Sequence, residues 1–284
     1  MRMSVKPIRF ALIVMLLLLA ASACDGVTDT PAAPPDSLGL TTGMEIGVVN
    51  TTVAGLATRD SVDPDAPNGG MLVTVDDVQL GESATVSWRR TVEREVEPDE
   101  PTPAVGVGTP TPTPPTELVS ESGRLVVAGM ESAHAALLPL YWPTSEAGET
   151  ESSGMWLSQE AFEELKSTQQ TRWSPDVVTQ FSNLPRSALR QIEDAAEGQD
   201  LYLTADPDFI DFETRVDGER VRFQAIRAHD DFGNEYVILD QADNPMIVKF
   251  RFNAVSTGAI GIDVGIWTLI KAVFSGYRVV EIRQ

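Results

Sequence analysis

Cysteine is almost absent: the 284-residue chain has one, Cys24, so it cannot form a disulfide with itself. Histidine is nearly as scarce. His134 and His229 lie far apart in sequence, and neither belongs to an HExxH motif or any close metal-ligand pair. There is no GxSxG elbow, no P-loop and no GxGxxG, which removes the local signatures of three large enzyme classes. Positive charge is short too, with 21 basic residues against 42 acidic and a net charge of −21. Such a surface repels nucleic acid and anionic lipid headgroups. No apolar run suits an ordinary membrane span. The run from Phe10 to Leu19 is too short, and Asp263 and Lys271 interrupt the apolar C-terminal stretch.

What is present begins with a three-zone N-terminus. Basic Arg2, Lys6 and Arg9 precede the apolar run, and small residues Ala20 to Ala23 follow it before Cys24. This is the layout of a secretory signal peptide over residues 1–23. Ala21-Ser22-Ala23 satisfies the small-x-small rule of an ordinary signal peptidase. Leu19-Ala20-Ala21-Ser22-Ala23-Cys24 also resembles the lipobox of bacterial lipoproteins, with Ala21 standing where that family usually has leucine. The resemblance covers residues 1–24 and implies that Cys24 becomes a lipidated first residue. A lone thiol exported into an oxidising compartment would otherwise stay reactive, and lipidation consumes it. Several acyl chains, as the lipoprotein family implies, anchor firmly where one does not. Residues 24–37 are polar and proline-rich and read as a flexible tether. Asp25 resembles a retention residue of some enteric lipoproteins, a rule that depends on lineage and does not choose between membranes. The address implied is extracytoplasmic and membrane-anchored, facing the periplasm or the cell surface.

Removing residues 1–23 takes away three basic residues and no acidic ones, leaving 18 basic against 42 acidic, a net of −24. Lysine supplies only Lys6, Lys166, Lys249 and Lys271. An acidic, lysine-poor, arginine-retaining composition resembles that of proteins from salt-loving organisms, in which ionic strength screens self-repulsion. The plainer alternative is an acidic calcium-binding or simply soluble surface.

Residues 38–284 read as one α+β domain, predominantly antiparallel β, a meander or barrel-like sheet with two short helices packed against it. A Pro/Thr-rich stretch at 98–117 interrupts it and cannot pack a core. Its flanks, Ala84–Val92 and Leu125–Val127, can pair as a hairpin; the alternative is two domains, 38–97 and 118–284. One helix starts at Ser158 as N-cap, with Glu160 in the first turn and Leu157 and Phe162 as a hydrophobic staple. The second runs over 184–199, with Pro185 in its first turn, Leu189 and Ile192 on one face and Gly198 as its stop.

The clearest fold signal is Asp217-Gly218 between two alternating runs, the mark of a two-residue hairpin turn. It sets Val216 opposite Glu219, Thr214 opposite Val221, Phe212 opposite Phe223 and Ile210 opposite Ala225 on a core face. The other face pairs Glu213 with Arg222 and Arg215 with Arg220. Strands at Glu235–Leu239 and Met246–Phe252, joined by a turn at 240–245, complete a four-stranded meander. Past Gly258, Gly261 and Gly265, which read as turns, Ile266–Phe274 reads as a buried helix or strand or else an exposed docking surface, and Tyr277–Ile282 as a last strand.

Three candidate sites emerge. Cys24 is the lipidation site. Arg215, Arg220, Arg222, Lys249 and Arg251 fall on the expected outward face, where they form a docking face for an anionic ligand or acidic partner segment; the plainer reading is cross-strand pairing, with Glu213 neutralising Arg222. Finally His229, Asp230, Asp231, Asn234, Asp240, Asp243 and Asn244 crowd sheet-end loops. The asparagine and aspartate oxygens suit calcium, but without the EF-hand order they also suit plain turn chemistry.

No cofactor is implied. The reading reached is a membrane-anchored envelope lipoprotein with a non-enzymatic ligand-binding, assembly or structural role and a possible envelope protein partner. The alternative is an extracytoplasmic hydrolase using a carboxylate pair, which leaves no mandatory short motif. Growth with radiolabelled fatty acid is expected to mark the wild-type chain and not Cys24→Ser. An unlabelled wild type returns the chain to an ordinary secreted protein with a free thiol.

Overall fold

A computed structural model describes residues 38–51, 57, 59–95, 116–139, 142, 148–175, 201–231, 233–251 and 276–284. The first strands are β1 (Glu45–Asn50), β2 (Met71–Gln79), β3 (Ser83–Glu95) and β4 (Thr116–Val127). Three short strands, β5 (Ala135–Ala136), β6 (Gly148–Thr150) and β7 (Gln170–Arg172), lie around helix α1 (Gln159–Thr168), and β8 (Ser174–Pro175) pairs with β5. The C-terminal half supplies β9 (Tyr202–Val216), β10 (Glu219–Asp230), β11 (Glu235–Leu239), β12 (Ile247–Arg251) and β13 (Gly276–Arg283).

All but β5 and β8 join one eleven-stranded sheet in the order β6-β4-β3-β2-β1-β13-β12-β11-β10-β9-β7. The fold is therefore predominantly antiparallel β. Helix α1 lies against β7 and β9, while the second expected helix, at 184–199, lies outside the described residues. No helix among the described residues is long and apolar enough to cross a membrane.

The expected meander is present as β9-β10-β11-β12. Its hairpin has the register that the Asp217-Gly218 turn dictates, from Val216 opposite Glu219 to Ile210 opposite Ala225. Both turn residues have positive φ, +49° and +87°, the combination a type I′ turn needs and the reason glycine follows aspartate there. Beyond Ile226 the register shifts, and β9 reaches back to Tyr202, seven residues earlier than the alternation starting at Phe209 suggests. The shift changes which side of β10 is buried: Val221, Phe223 and Ala225 before it, then Ile226, Ala228 and Asp230.

Closure comes from β13. One edge pairs with β1 from Tyr277 to Arg283; the other pairs with β12 over Gly276–Arg278 and then, parallel, with β9 at Glu281 and Ile282. Strands β9 to β13 thus form a closed circuit, the barrel-like part of the sheet. Gly276 makes the approach possible: it has φ +123°, and a Cβ there would lie 2.0 Å from the Phe250 carbonyl oxygen.

Strands β3 and β4 pair continuously from Ala84–Val127 to Glu95–Thr116. The flanks of the Pro/Thr-rich stretch thus form a hairpin, and β4 begins inside that stretch at Thr116, because Leu118 and Val119 resume a strand pattern. Residues 252–275, with their three turn glycines and the Ile266–Phe274 segment, lie outside the described residues, whereas the last strand forms as expected.

The core is lined by Trp173, Tyr236, Phe250 and Tyr277, whose successive ring centroids are 5.8, 5.2 and 6.3 Å apart. Helix α1 seats Ala161, Phe162 and Leu165 in it, and the Ser158 hydroxyl accepts from the Ala161 N–H at 3.1 Å as its N-cap. A buried polar hub ties three segments together. Asn244, with no exposed surface, accepts from Trp156 Nε1 at 2.9 Å and donates to the Leu38 carbonyl at 2.7 Å, while the Leu38 N–H donates to Gln241 Oε1 at 3.1 Å. Asn244→Ala strands a buried indole N–H and a buried carbonyl, and a stability loss of about 2–4 kcal/mol is expected in urea unfolding. A loss under about 0.5 kcal/mol would show that the hub is dispensable.

Candidate anion-binding cleft

The cleft is built by the hairpin turn and by β13. The type I′ turn sets Arg215 on β9 directly opposite Arg220 on β10. The parallel pairing of Glu281 with Arg215 and Ile282 with Val216 brings β13 alongside, and its Arg278 enters the same space. Arg278 is half-buried: Nη2 donates to the Glu213 carbonyl at 2.8 Å, and the guanidinium lies 5.2 Å from the Phe212 ring centroid. A cavity of about 260 Å³ results, lined also by Ala57, Asp60, Glu213, Thr214 and Val280.

Charge pairing separates these arginines from most of the others. Most described arginines reach a carboxylate, as Arg90 and Arg94 do with Glu121, Arg227 with Asp206 and Arg283 with Glu45 and Glu281. Arg215, Arg220 and Arg278 form no ion pair among the described residues.

The expected basic face therefore divides. Arg222 is held by Glu213, whose Oε1 accepts from Nε at 3.1 Å and Nη2 at 2.6 Å, and that hydrogen bond and charge raise its pKa above the ordinary arginine value. Lys249 and Arg251 both reach Glu235, at 2.8 and 3.1 Å. Arg215 and Arg220 remain available. Arg278 joins them without having been singled out from sequence, although the alternation of Tyr277, Arg278 and Val279 is visible there. Its nearness to the hairpin depends on a parallel pairing between strands more than sixty residues apart, which no local pattern encodes.

The acidic turn cluster is occupied by backbone work. Asp230, 5% exposed, accepts from the Asn234 N–H at 2.9 Å through one oxygen, and from Asn234 Nδ2 at 2.8 Å and the Tyr236 hydroxyl at 2.9 Å through the other. Asp231 accepts from the Tyr202 N–H at 2.8 Å, Asp240 pairs with Lys166, Asp243 sits in the β11–β12 turn, and Asn244 is the hub. His229 Nδ1 lies 3.3 Å from Asp206. Among the described residues no three His, Cys, Asp or Glu side chains are grouped to hold a metal ion. Cys24 lies outside the described residues.

No family model, no curated protein and no solved structure matches the chain. The site is therefore read from its own geometry.

Glu235 is the carboxylate that Lys249 and Arg251 share. Burial pushes its pKa up, but the Lys249 hydrogen bond and charge, with Arg251 and His229 behind them, outweigh burial and lower it. A carboxyl with a folded pKa below its unfolded one contributes stability above about pH 4.3, which is lost as pH falls through the folded value. Wild type should therefore lose more stability than Glu235→Gln between about pH 7 and pH 3, on the order of 1 kcal/mol, in urea midpoints. Parallel curves would remove Glu235 from the acid response.

Proposed function

We propose that the chain is a lipid-anchored envelope protein in which a strand-rich domain, held on the 24–37 tether, has a non-enzymatic binding or assembly role. The observation that carries the reading is the join between tether and domain. Directly after the tether comes Leu38, fully buried and hydrogen-bonded through both its N–H and its carbonyl, to Gln241 and Asn244. Burial of Leu38 requires partners for both groups, and these partners fix the point where the tether leaves the domain, against the β11–β12 turn and, through Trp156, the segment before α1. The lipobox resemblance at Cys24 supports the same arrangement, since an anchor ahead of a polar, proline-rich spacer presents the domain away from the bilayer.

Limited proteolysis of membranes bearing the wild-type chain is expected to cut within 24–37 and release a fragment starting near Leu38 that still unfolds cooperatively. Release without cutting, or a fragment that has lost cooperative unfolding, counts against the tethered reading. Glycan and peptide hydrolysis should stay at background with metal added or removed. Turnover abolished by one Asp or Glu substitution would replace the binding role with catalysis.

A further inference from the structure

We infer that the Arg215–Arg220–Arg278 cleft binds one oxyanion group, a carboxylate or phosphate, of a small soluble ligand. The inference rests on the binding role proposed above and assigns it a site and a ligand class. In a chain with 42 acidic and 21 basic residues, carboxylate partners are abundant, yet three arginines line one cavity and form no ion pair among the described residues, although Asp60 and Glu213 line it too. Two of them face each other across a hairpin, where like charges repel. An oxyanion seated between them removes that repulsion and gains forked N–H···O bonds of the kind guanidinium makes best.

Arg278 is held in place before any ligand arrives, and the backbone that carries the other two is fixed. The two-residue turn sets the Arg215–Arg220 register, and Arg278 is steadied by the Glu213 carbonyl on one side and the Phe212 ring on the other. Less freedom is lost on binding as a result. Size and charge narrow the ligand. A cavity of about 260 Å³ matches a small acid and is too small for a folded segment. Glu213 is committed to Arg222, so Asp60 is the carboxylate left on the wall. It accepts hydrogen bonds and repels a second anionic group, so the geometry favours a monoacid carrying hydroxyl or amino donors over a polyanion. The acidity of the remaining surface opposes seating on an anionic bilayer and points to a ligand free in solution.

The test is calorimetric titration of the full-length chain in neutral detergent at low ionic strength with inorganic phosphate, glucuronate and a poly-glutamate peptide. Saturable one-to-one binding of phosphate or glucuronate is expected. Arg215→Gln and Arg220→Gln should each weaken it about tenfold, the loss of one charge-assisted contact. Arg89→Gln, which removes an exposed pair with Asp65, should change it by less than about twofold. All three positions are exposed, and unchanged thermal unfolding confirms that the variants are folded. Absence of saturable binding of both small anions overturns the proposal. So does an Arg89→Gln loss equal to that of Arg220→Gln, which means diffuse attraction, or tighter binding of poly-glutamate than of both small anions, which means that an acidic segment docks there. Cys24→Ser is expected to bind phosphate like wild type, so a failed anchor and a failed anion site give separate results.

Discussion

A β-strand has two hydrogen-bonding edges, and β13 divides one of them between two partners. It pairs with β12 over its first three residues and with β9 near its end, while β1 takes the whole opposite edge. Everything characteristic of the fold follows from that division. The meander closes into a circuit, the N-terminal strands continue outward from the same strand, and the β9–β10 hairpin folds back until its turn meets the C-terminus. There the Asp217 N–H donates to the Ile282 carbonyl, and the Gln284 N–H donates to Asp217 Oδ1 at 2.9 Å. Gly276 permits the tight contact with β12 that starts β13 in this path.

Charge is distributed in the same geometric terms. Across β3 and β4, Glu121 serves both Arg90 and Arg94; across β11 and β12, Glu235 serves both Lys249 and Arg251. Cross-strand neighbours of opposite sign are the sheet's ordinary means of carrying charge, each pair modest in energy where solvent reaches it. The hairpin tip departs from the pattern. Arg215 and Arg220 are paired with each other, and closure adds Arg278. The cleft is a product of topology imposed on a locally ordinary hairpin.

Buried polar side chains perform a different task. Asn244 and Asp230 each satisfy several partners at once and are almost wholly enclosed. A buried polar group with every partner in place specifies one arrangement, since any alternative leaves a donor or acceptor dry. Asn244 thereby positions the start of the domain at Leu38 against the β11–β12 turn, and Asp230 shapes the β10–β11 connection. The aspartates and asparagines that resemble a calcium loop in sequence are spent on these connections, for the backbone reasons that put such residues in turns.

The sequence by itself determined the local elements: the N-cap at Ser158, the I′ turn at Asp217-Gly218 with the hairpin register as far as Ile210–Ala225, and the strand at 235–239; it allowed the pairing of the flanks around the Pro/Thr-rich stretch, which the structure decided. These follow from period-two alternation, capping and positive-φ preference, which act over a few residues and so leave a readable trace. It also marked Arg215 and Arg220 as opposite each other, and five basic residues as sharing a face. The register also placed Glu213 against Arg222, but only the tertiary structure decided that Lys249 and Arg251 are neutralised too, because both reach Glu235 through side-chain geometry that alternation does not report. Only closure by β13 decided that Arg278 completes the cleft. A parallel pairing between strands far apart in the chain arises from how the whole sheet closes, and no short stretch of sequence encodes it.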